Sequence, residues 1–400
     1  MSLRISTAAL HDLAIATMLR QQASLARTQN QIATGKRVLT PADDPVAAAQ
    51  LYELSRTQSQ LDQFGSNSGA ARGRLQLEEQ ALADADTLLQ RTRELVLQAN
   101  NPTLSDSDRG SIATELQARV TELQAIANRR DSNSEYLFAG YATRTQPFAR
   151  DSAGRMAYGG DAGARTQQVD TTQFVSDSDP GADVFMDVPA GNGLFTTAAA
   201  AGNAGSGLLD TGGIVDRTQW VADQYTIAFT TADSWQVSDG GGNVVAAGAY
   251  QGGGAIAFRG VQVGISGTPA AGDRFTVQPA GTEDMFSTLD AAIAVLRSGG
   301  STDALRAQLA TALGGTLQQL DQGHERLLTV RAGVGARLAM LDDVDNARAN
   351  QGTDLATTVS GLQDLDYASA IARMNQQYVS LQAAQQSYAS IAKLSLFNYL

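Results

Sequence analysis

Adjacent carboxylates are the first residues in this chain that could do chemistry: Asp43–Asp44 and Asp342–Asp343. A general acid/base pair needs two carboxylates converging on one bond, and neighbours on a helix point about 100° apart. In TPADDPVAAAQ, Asp44 stands directly before Pro45, whose fixed φ suits a first helical position. That pair reads as a helix start, and Asp342–Asp343 as a solvated helix face. The two histidines, His11 and His324, are far apart in the chain, and His324 falls on a leucine seam, where packing is its expected role. With no cysteine, a zinc site would need mostly carboxylates. GNG (191–193) and RAGVGAR (331–337) do not complete a phosphate loop between a strand and a helix. Gly333 and Gly335 sit inside a helical pattern, where each costs about 1 kcal/mol relative to alanine; close approach by a neighbouring helix is the expected reason. No nucleophile–base set assembles, and neither a cofactor nor a metal is expected.

The elements that would position any site fall into three zones. Residues 1–150 hold 6 of the 39 glycines, residues 151–281 hold 24, and residues 282–400 hold 9. A turn-rich segment is therefore inserted between two glycine-poor arms. In the first arm Met18, Leu25 and Ile32 recur every seven residues, as do Leu75, Leu82, Leu89 and Val96. NPTLSDSDRG (101–110) breaks that pattern, with Ser105 or Asp106 able to cap the helix that follows. That helix carries Ile112, Leu116, Val120, Leu123 and Ile126. In the last zone Leu313, Leu317, Leu320, His324, Leu327, Arg331, Val334, Leu338 and Leu341 alternate in steps of four and three. The rhythm returns in Tyr367, Ile371, Met374, Tyr378, Leu381, Gln385 and Tyr388. A 4–3 rhythm is a coiled-coil seam, and it puts Tyr378, Leu381 and Tyr388 on one stripe. In the middle zone YTIAFT, WQVS, NVVAAGAY, AIAFRGVQVGI and DRFTVQP are short β-rich runs separated by turns such as SDGGGN. The stretch of LFTTAAAAGNAGSG (194–207) and DTGG (210–213) is ambiguous, with loop as one reading.

A net charge of -12 with no basic stripe excludes nucleic acid and anionic lipid as expected partners. No stretch reaches the ~18 apolar residues of a membrane span. His11 and Asp12 interrupt the only N-terminal apolar run, so by Sec-type rules the chain is cytoplasmic, though those rules are blind to other export routes. The chain also finishes in LSLFNYL, an apolar end of the kind that needs something to hold it down.

Several of these stretches together resemble the flagellin superfamily. QIATGKRVLTPADDPVAAAQ (31–50) is similar to its N-terminal signature, in the P-x-D-D-P form of the hook-associated type. NSEYLFAGYATRTQPF (133–148) resembles a strand leading from bundle to variable domain in that type. TLSDSDRGSIATEL (103–116), VRAGVGARLAMLDD (330–343), ISGTPAAGDRFTV (265–277) and the LSLFNYL ending resemble the same superfamily.

The resemblance implies a multidomain α+β fold, with a long helical bundle and coiled coil built from both arms and an inserted outer all-β domain. The expected division is 1–40 with 361–400 as terminal coiled-coil arms, 41–150 with 282–360 as the bundle, and 151–281 as the β domain. It implies a structural subunit of the bacterial flagellum, a ring joining hook to filament, with a filament flagellin as the alternative. An exported enzyme is a poor third, because residues 151–281 contain neither His nor Cys. Expected partners are copies of itself, another hook-associated protein, flagellin and an export chaperone. The expected location is extracellular, reached through the flagellar type III apparatus without a cleaved signal. Expected subunit contacts are Leu10, Met18, Leu25, Ile32, Tyr367, Ile371, Met374, Leu381, Leu396 and Phe397. Expected chaperone contacts are Tyr378, Leu381, Tyr388 and Leu394.

Overall fold

A computed structural model describes residues 7–300 and 302–397, the side chains at positions 7, 8, 10 and 391–397 excepted. Six helices carry the two arms: α1 (Thr7–Thr34), α2 (Pro45–Ala99), α3 (Asp106–Ala127), α4 (Met285–Ser298), α5 (Asp303–Gln363) and α6 (Tyr367–Phe397). Between α3 and α4 lie short strands: β1 (Phe148–Arg150), β2 (Met156–Tyr158), β3 (Thr166–Gln168), β4 (Phe174–Ser176), β5 (Val188–Pro189), β6 (Phe195–Ala199), β7 (Leu208–Leu209), β8 (Gly213–Ile214), β9 (Tyr225–Thr231), β10 (Ser234–Ser238), β11 (Val244–Ala249), β12 (Ala255–Phe258), β13 (Val261–Ser266), β14 (Arg274–Pro279) and β15 (Thr282–Glu283). The chain divides into two compact units, a chain-end unit of 1–66 with 344–400 and a central unit of 67–343.

The central unit owes its helices to heptad burial. Leu75, Leu82, Leu89 and Val96 are all buried on α2. So are Leu313, Leu320, Leu327, Val334 and Leu341, every seventh residue of α5. The intervening His324 and Arg331 are not packed in the seam but stand beside it: His324 Nδ1 meets Asp86, and Arg331 pairs with Glu79 at 2.7 Å. A polar ring nitrogen costs less facing a carboxylate at the seam's edge than buried among leucines. Gly333 and Gly335 also depart from expectation. Both are exposed, with no neighbouring atom within reach of an added Cβ, so no helix approaches there. Helix α3 starts as expected: Ser105 caps it in a reciprocal box with Asp108. Helix α4 packs on α3, and Phe138, Phe148, Phe185 and Phe286 stack about its start.

The inserted strands form mostly antiparallel hairpins. The largest sheet has five strands in the order β11-β10-β9-β14-β6, and β13 pairs with β12, β7 and β8. Alternation fixes which side is inside: Tyr225, Ile227 and Phe229 of β9, and Val261, Val263 and Ile265 of β13, are buried and share one core with Phe275 and Val277. One ambiguity is resolved and one expectation fails here. Phe195–Ala199, where the sequence pattern is ambiguous, is the sheet's edge strand. The stretch 133–148, expected as a strand, is turns with one isolated bridge, Arg130 to Tyr136, and pairing begins only at Phe148. A donor needs a neighbour: β6 finds one in β14, whereas Tyr136 and Leu137 bond back locally to Thr143 and Arg129.

Candidate assembly interface

In the chain-end unit the two ends of the chain meet. On α1 His11, Ala14, Met18, Gln21, Leu25, Thr28 and Ile32 are half-buried or buried, and Thr17, Ser24 and Gln31 widen the same face as their immediate neighbours. On α6 the matching positions are Ala370, Met374, Gln377, Leu381, Ala384 and Tyr388. Both lists step by three and four, the spacing that keeps one helical face turned to a partner. The helices run antiparallel. At one end His11 packs edge-on against Tyr388, with ring centroids 5.5 Å apart. At the other, the Tyr367 hydroxyl lies over Gly35, so close that a Cβ there would fall 2.8 Å from it. Gly35 also holds φ +69, a conformation glycine adopts without strain.

The turn between α1 and α2 is a clasp, which accounts for the Asp-Asp pair. Arg37 N–H donates to the Gln363 carbonyl at 2.7 Å, Leu365 N–H donates to Gly35 O at 2.9 Å, and Arg37 Nη2 reaches Leu362 O at 2.8 Å. Gln31 Nε2 donates to Arg37 O at 2.7 Å. Asp44 caps α2, accepting the Ala47 N–H at 3.0 Å, and takes Arg37 Nη1 on its other oxygen at 3.0 Å. Asp43 closes the preceding turn by accepting from Thr40 N–H at 2.8 Å, Thr40 Oγ1 and Leu39 N–H. The Ala47 amide and Arg37 hold the Asp44 carboxyl below its usual range; the Thr40 amide and hydroxyl do the same for Asp43. These carboxylates organise backbone. They do not converge on a substrate.

The remaining surface of this unit is unusual for its apolar content. Among the described residues Leu13, Leu19, Val46, Tyr52, Tyr367, Ile371, Tyr378 and Val379 all stand exposed. Successive helical residues turn about 100°, so Tyr367, Ile371 and Tyr378 share a stripe about 80° round from the centre of the face that meets α1. The apolar arc of α6 is wider than one partner helix covers.

That geometry sorts the expected interface residues. Met18, Leu25, Ile32, Met374 and Leu381 lie on the inward α1–α6 seam, whereas Ile371 points away from it and Tyr367, half-exposed, only reaches Gly35 at its end with its hydroxyl. Tyr378, Leu381 and Tyr388 do not share a stripe as expected: Leu381 and Tyr388 turn inward and Tyr378 is 59% exposed. The rhythm has two registers with Met374, Leu381 and Tyr388 in common. The helix pair uses the one that puts Ala370, Gln377 and Ala384 inside, where the two alanines let the antiparallel helices approach. The side chains of Leu10, Leu394, Leu396 and Phe397 lie outside the described residues. Sequence reasoning missed Arg37, Gln31 and Tyr52; Arg37 was legible as a cation placed near a charged Asp pair in a turn. No described helix is long and apolar enough to cross a membrane.

Two helical arms from the chain ends, closed on each other and carrying an inserted β region, define flagellin-like structural proteins rather than enzymes. The family model for the bacterial flagellin N-terminal helical region matches residues 5–143, and that for the D2-like domain of flagellar hook-associated protein 1 matches 198–279. The chain is similar to crystal structures of FlgL from Xanthomonas campestris (35% identity, 77% of this chain and 99% of that one, TM-score 0.73) and of the flagellar junction protein FlgL from Legionella pneumophila (33%, 79% and 100%, TM-score 0.73). It is 27% identical over 398 residues to flagellar hook-associated protein 3 of Salmonella typhimurium, covering 99% of each chain. The chain belongs to the flagellar hook-associated protein 3 family, structural proteins of the bacterial flagellum.

Proposed function

We propose that this chain is the subunit of a ring that joins the flagellar hook to the filament. The observation that carries the reading is the exposed apolar arc of the chain-end unit, with Ile371, Tyr378 and Val379 exposed and Tyr367 half-exposed beside them. Each such side chain contributes about 1.5–3 kcal/mol if fully buried, and neighbouring subunits are the surface that buries them. The Legionella relative, described as a junction protein, supports the same reading. Neighbours in the ring are copies of this chain, another hook-associated protein on the hook side and flagellin on the filament side. We divide the chain into terminal arms (1–40 with 361–400), a bundle (41–150 with 282–360) and a β domain (151–281), with assembly contacts on the arms.

Export runs through the flagellar type III apparatus without a cleaved signal, to the extracellular junction. A chaperone holds α6 before assembly through Leu381, Tyr388 and Leu394, with Tyr378 on the flank. Since Leu381 and Tyr388 face α1 in the folded chain, the chaperone takes α6 before that helix pair closes. The test is a strain lacking this chain, viewed by electron microscopy. Hooks without filaments, with flagellin in the medium, are expected. Normal filaments in that strain overturn the reading.

A further inference from the structure

The central unit holds an ionic cluster that neither the fold nor the assembly reading explains. Glu78 of α2 is completely buried. Its Oε1 accepts the Asp179 N–H at 3.0 Å, and its Oε2 has no hydrogen-bond partner. The charged groups around it are Arg74 one turn earlier on α2, Asp177 and Asp179 of the loop after β4, and Arg337 of α5, with Asp131, Glu135 and Arg165 in the next layer. Three cations stand among five carboxylates, and every cation is engaged elsewhere. Arg74 is bound to Asp131 at 2.6 Å and to the Tyr136 carbonyl; Arg165 to Asp177 at 2.8 Å and Glu135 at 3.1 Å; Arg337 to Asp179. Glu78 is the acid left over, beside the carboxylate of Asp179.

The loop that seals it is held by specific bonds. Asp177 N–H donates to Arg165 O at 3.0 Å and Gly181 N–H to Phe138 O at 2.9 Å. Gly181 is packed so tightly that a Cβ would lie 2.7 Å from the Phe148 ring. Glu78 is fully buried, and this loop contributes the Asp179 amide that holds its Oε1.

We propose that Glu78 is a proton-operated latch for the 177–181 loop: neutral Glu78 stays sealed beneath it, and loss of its proton opens the loop. Burial, reinforced by the Asp179 carboxylate, holds the Glu78 carboxyl well above the usual range. An exposed glutamate titrates near about 4.3. Between that value and the buried one, the open state binds fewer protons than the closed state, so opening rises about tenfold per pH unit.

Hydrogen exchange of the full chain from pH 5 to 8 reads this. Amide exchange itself accelerates about tenfold per pH unit, and linkage multiplies that by about ten again, so the Asp179 and Gly181 amides are expected to accelerate about a hundredfold per unit over part of the range. Core amides such as Leu82 provide the ordinary slope. In Glu78→Gln the loop amides fall back to that ordinary slope and are more protected at pH 8 than in the unaltered chain. The unaltered chain decides alone if the variant fails to fold: an ordinary slope at Asp179 and Gly181 overturns the proposal. A steep slope that persists in folded Glu78→Gln also overturns it, by placing the titrating group elsewhere.

Discussion

The two units solve opposite problems with similar helices. The chain-end unit holds nine Lys or Arg and nine Asp or Glu, whereas the central unit holds twenty against thirty-two and so carries the whole net charge of -12. The chain-end unit is under a third of the chain, yet ten of the nineteen large apolar side chains exposed among the described residues lie in it. Conversely, most fully buried leucines and phenylalanines belong to the central unit. A charged, well-buried body stays soluble through self-repulsion. A neutral surface rich in exposed apolar groups is an interaction surface. Helical propensity and heptad spacing are common to both; what differs is how much of the apolar arc finds a partner within one chain.

The comparison breaks first if the central unit is not the stable one. Leu82 is fully buried in it, so Leu82→Ala is expected to cost about 2–5 kcal/mol and to lower the main thermal transition seen by circular dichroism. Leu25 sits on the α1–α6 seam at 9% exposure. Leu25→Ala should loosen amides of α1 and α6 in hydrogen exchange while that main transition stays put. A shared loss of both would mean the units unfold as one. A smaller effect is expected at the clasp. Arg37→Ala removes bonds to Asp44 and Leu362 O from a half-exposed side chain, worth about 1–2 kcal/mol. Exchange at Arg37 and Leu365 should accelerate with α3 unchanged.

How much of this was legible depended on whether a pattern had one physical solution. Heptads at Leu75–Val96 and Leu313–Val334 could only be seams, and both are buried. The Asp44–Pro45 start and the Ser105 cap were equally readable, since capping is local chemistry. The β runs were clear wherever alternation was strong, as in Tyr225–Thr231. Thr196–Ala199 was ambiguous because its threonines and alanines carry little alternation, and only pairing to β14 makes it a strand. The α6 stripe was misread because two registers share three residues, and the choice between them belongs to α1. Glu78 gave no signal: one acid on an amphipathic helix looks solvated until residues 177–181, a hundred positions later, cover it.

Acid should sharpen the contrast further. Asp43 and Asp44 have carboxyls held below the usual value of 3.8 by amides and Arg37. Groups with a lowered native pKa add stability that is present above the unfolded value and lost as pH falls through the native one. The clasp should therefore hold unchanged from neutral pH down to about 4 and loosen below it, read by exchange at Gly35–Arg37. Asp44→Asn should remove most of that pH dependence. Glu78 works in the reverse sense, because its native pKa is raised: its contribution is complete below the unfolded value and is lost as pH rises. Opposite pH slopes in the two units are the expected result, and parallel slopes would contradict both assignments.

The smallest expected effect on the folded chain is at Tyr378. Its side chain is 59% exposed on the flank of α6, with no seam partner to lose. Tyr378→Ala should change stability by no more than about 0.5 kcal/mol, and α1–α6 exchange should not alter. If the exposed arc exists for neighbours, the same change must still weaken assembly, because a tyrosine ring buried at an interface is a frequent source of binding energy. Expressed in a strain lacking the native chain, Tyr378→Ala should give shorter or fewer filaments at normal levels of secreted protein. Gln382→Glu, on the same helix and exposed, is the control expected to do neither. Should Tyr378→Ala destabilise the isolated chain instead, the side chain has a partner within it, and the width of the α6 arc would reflect folding rather than assembly.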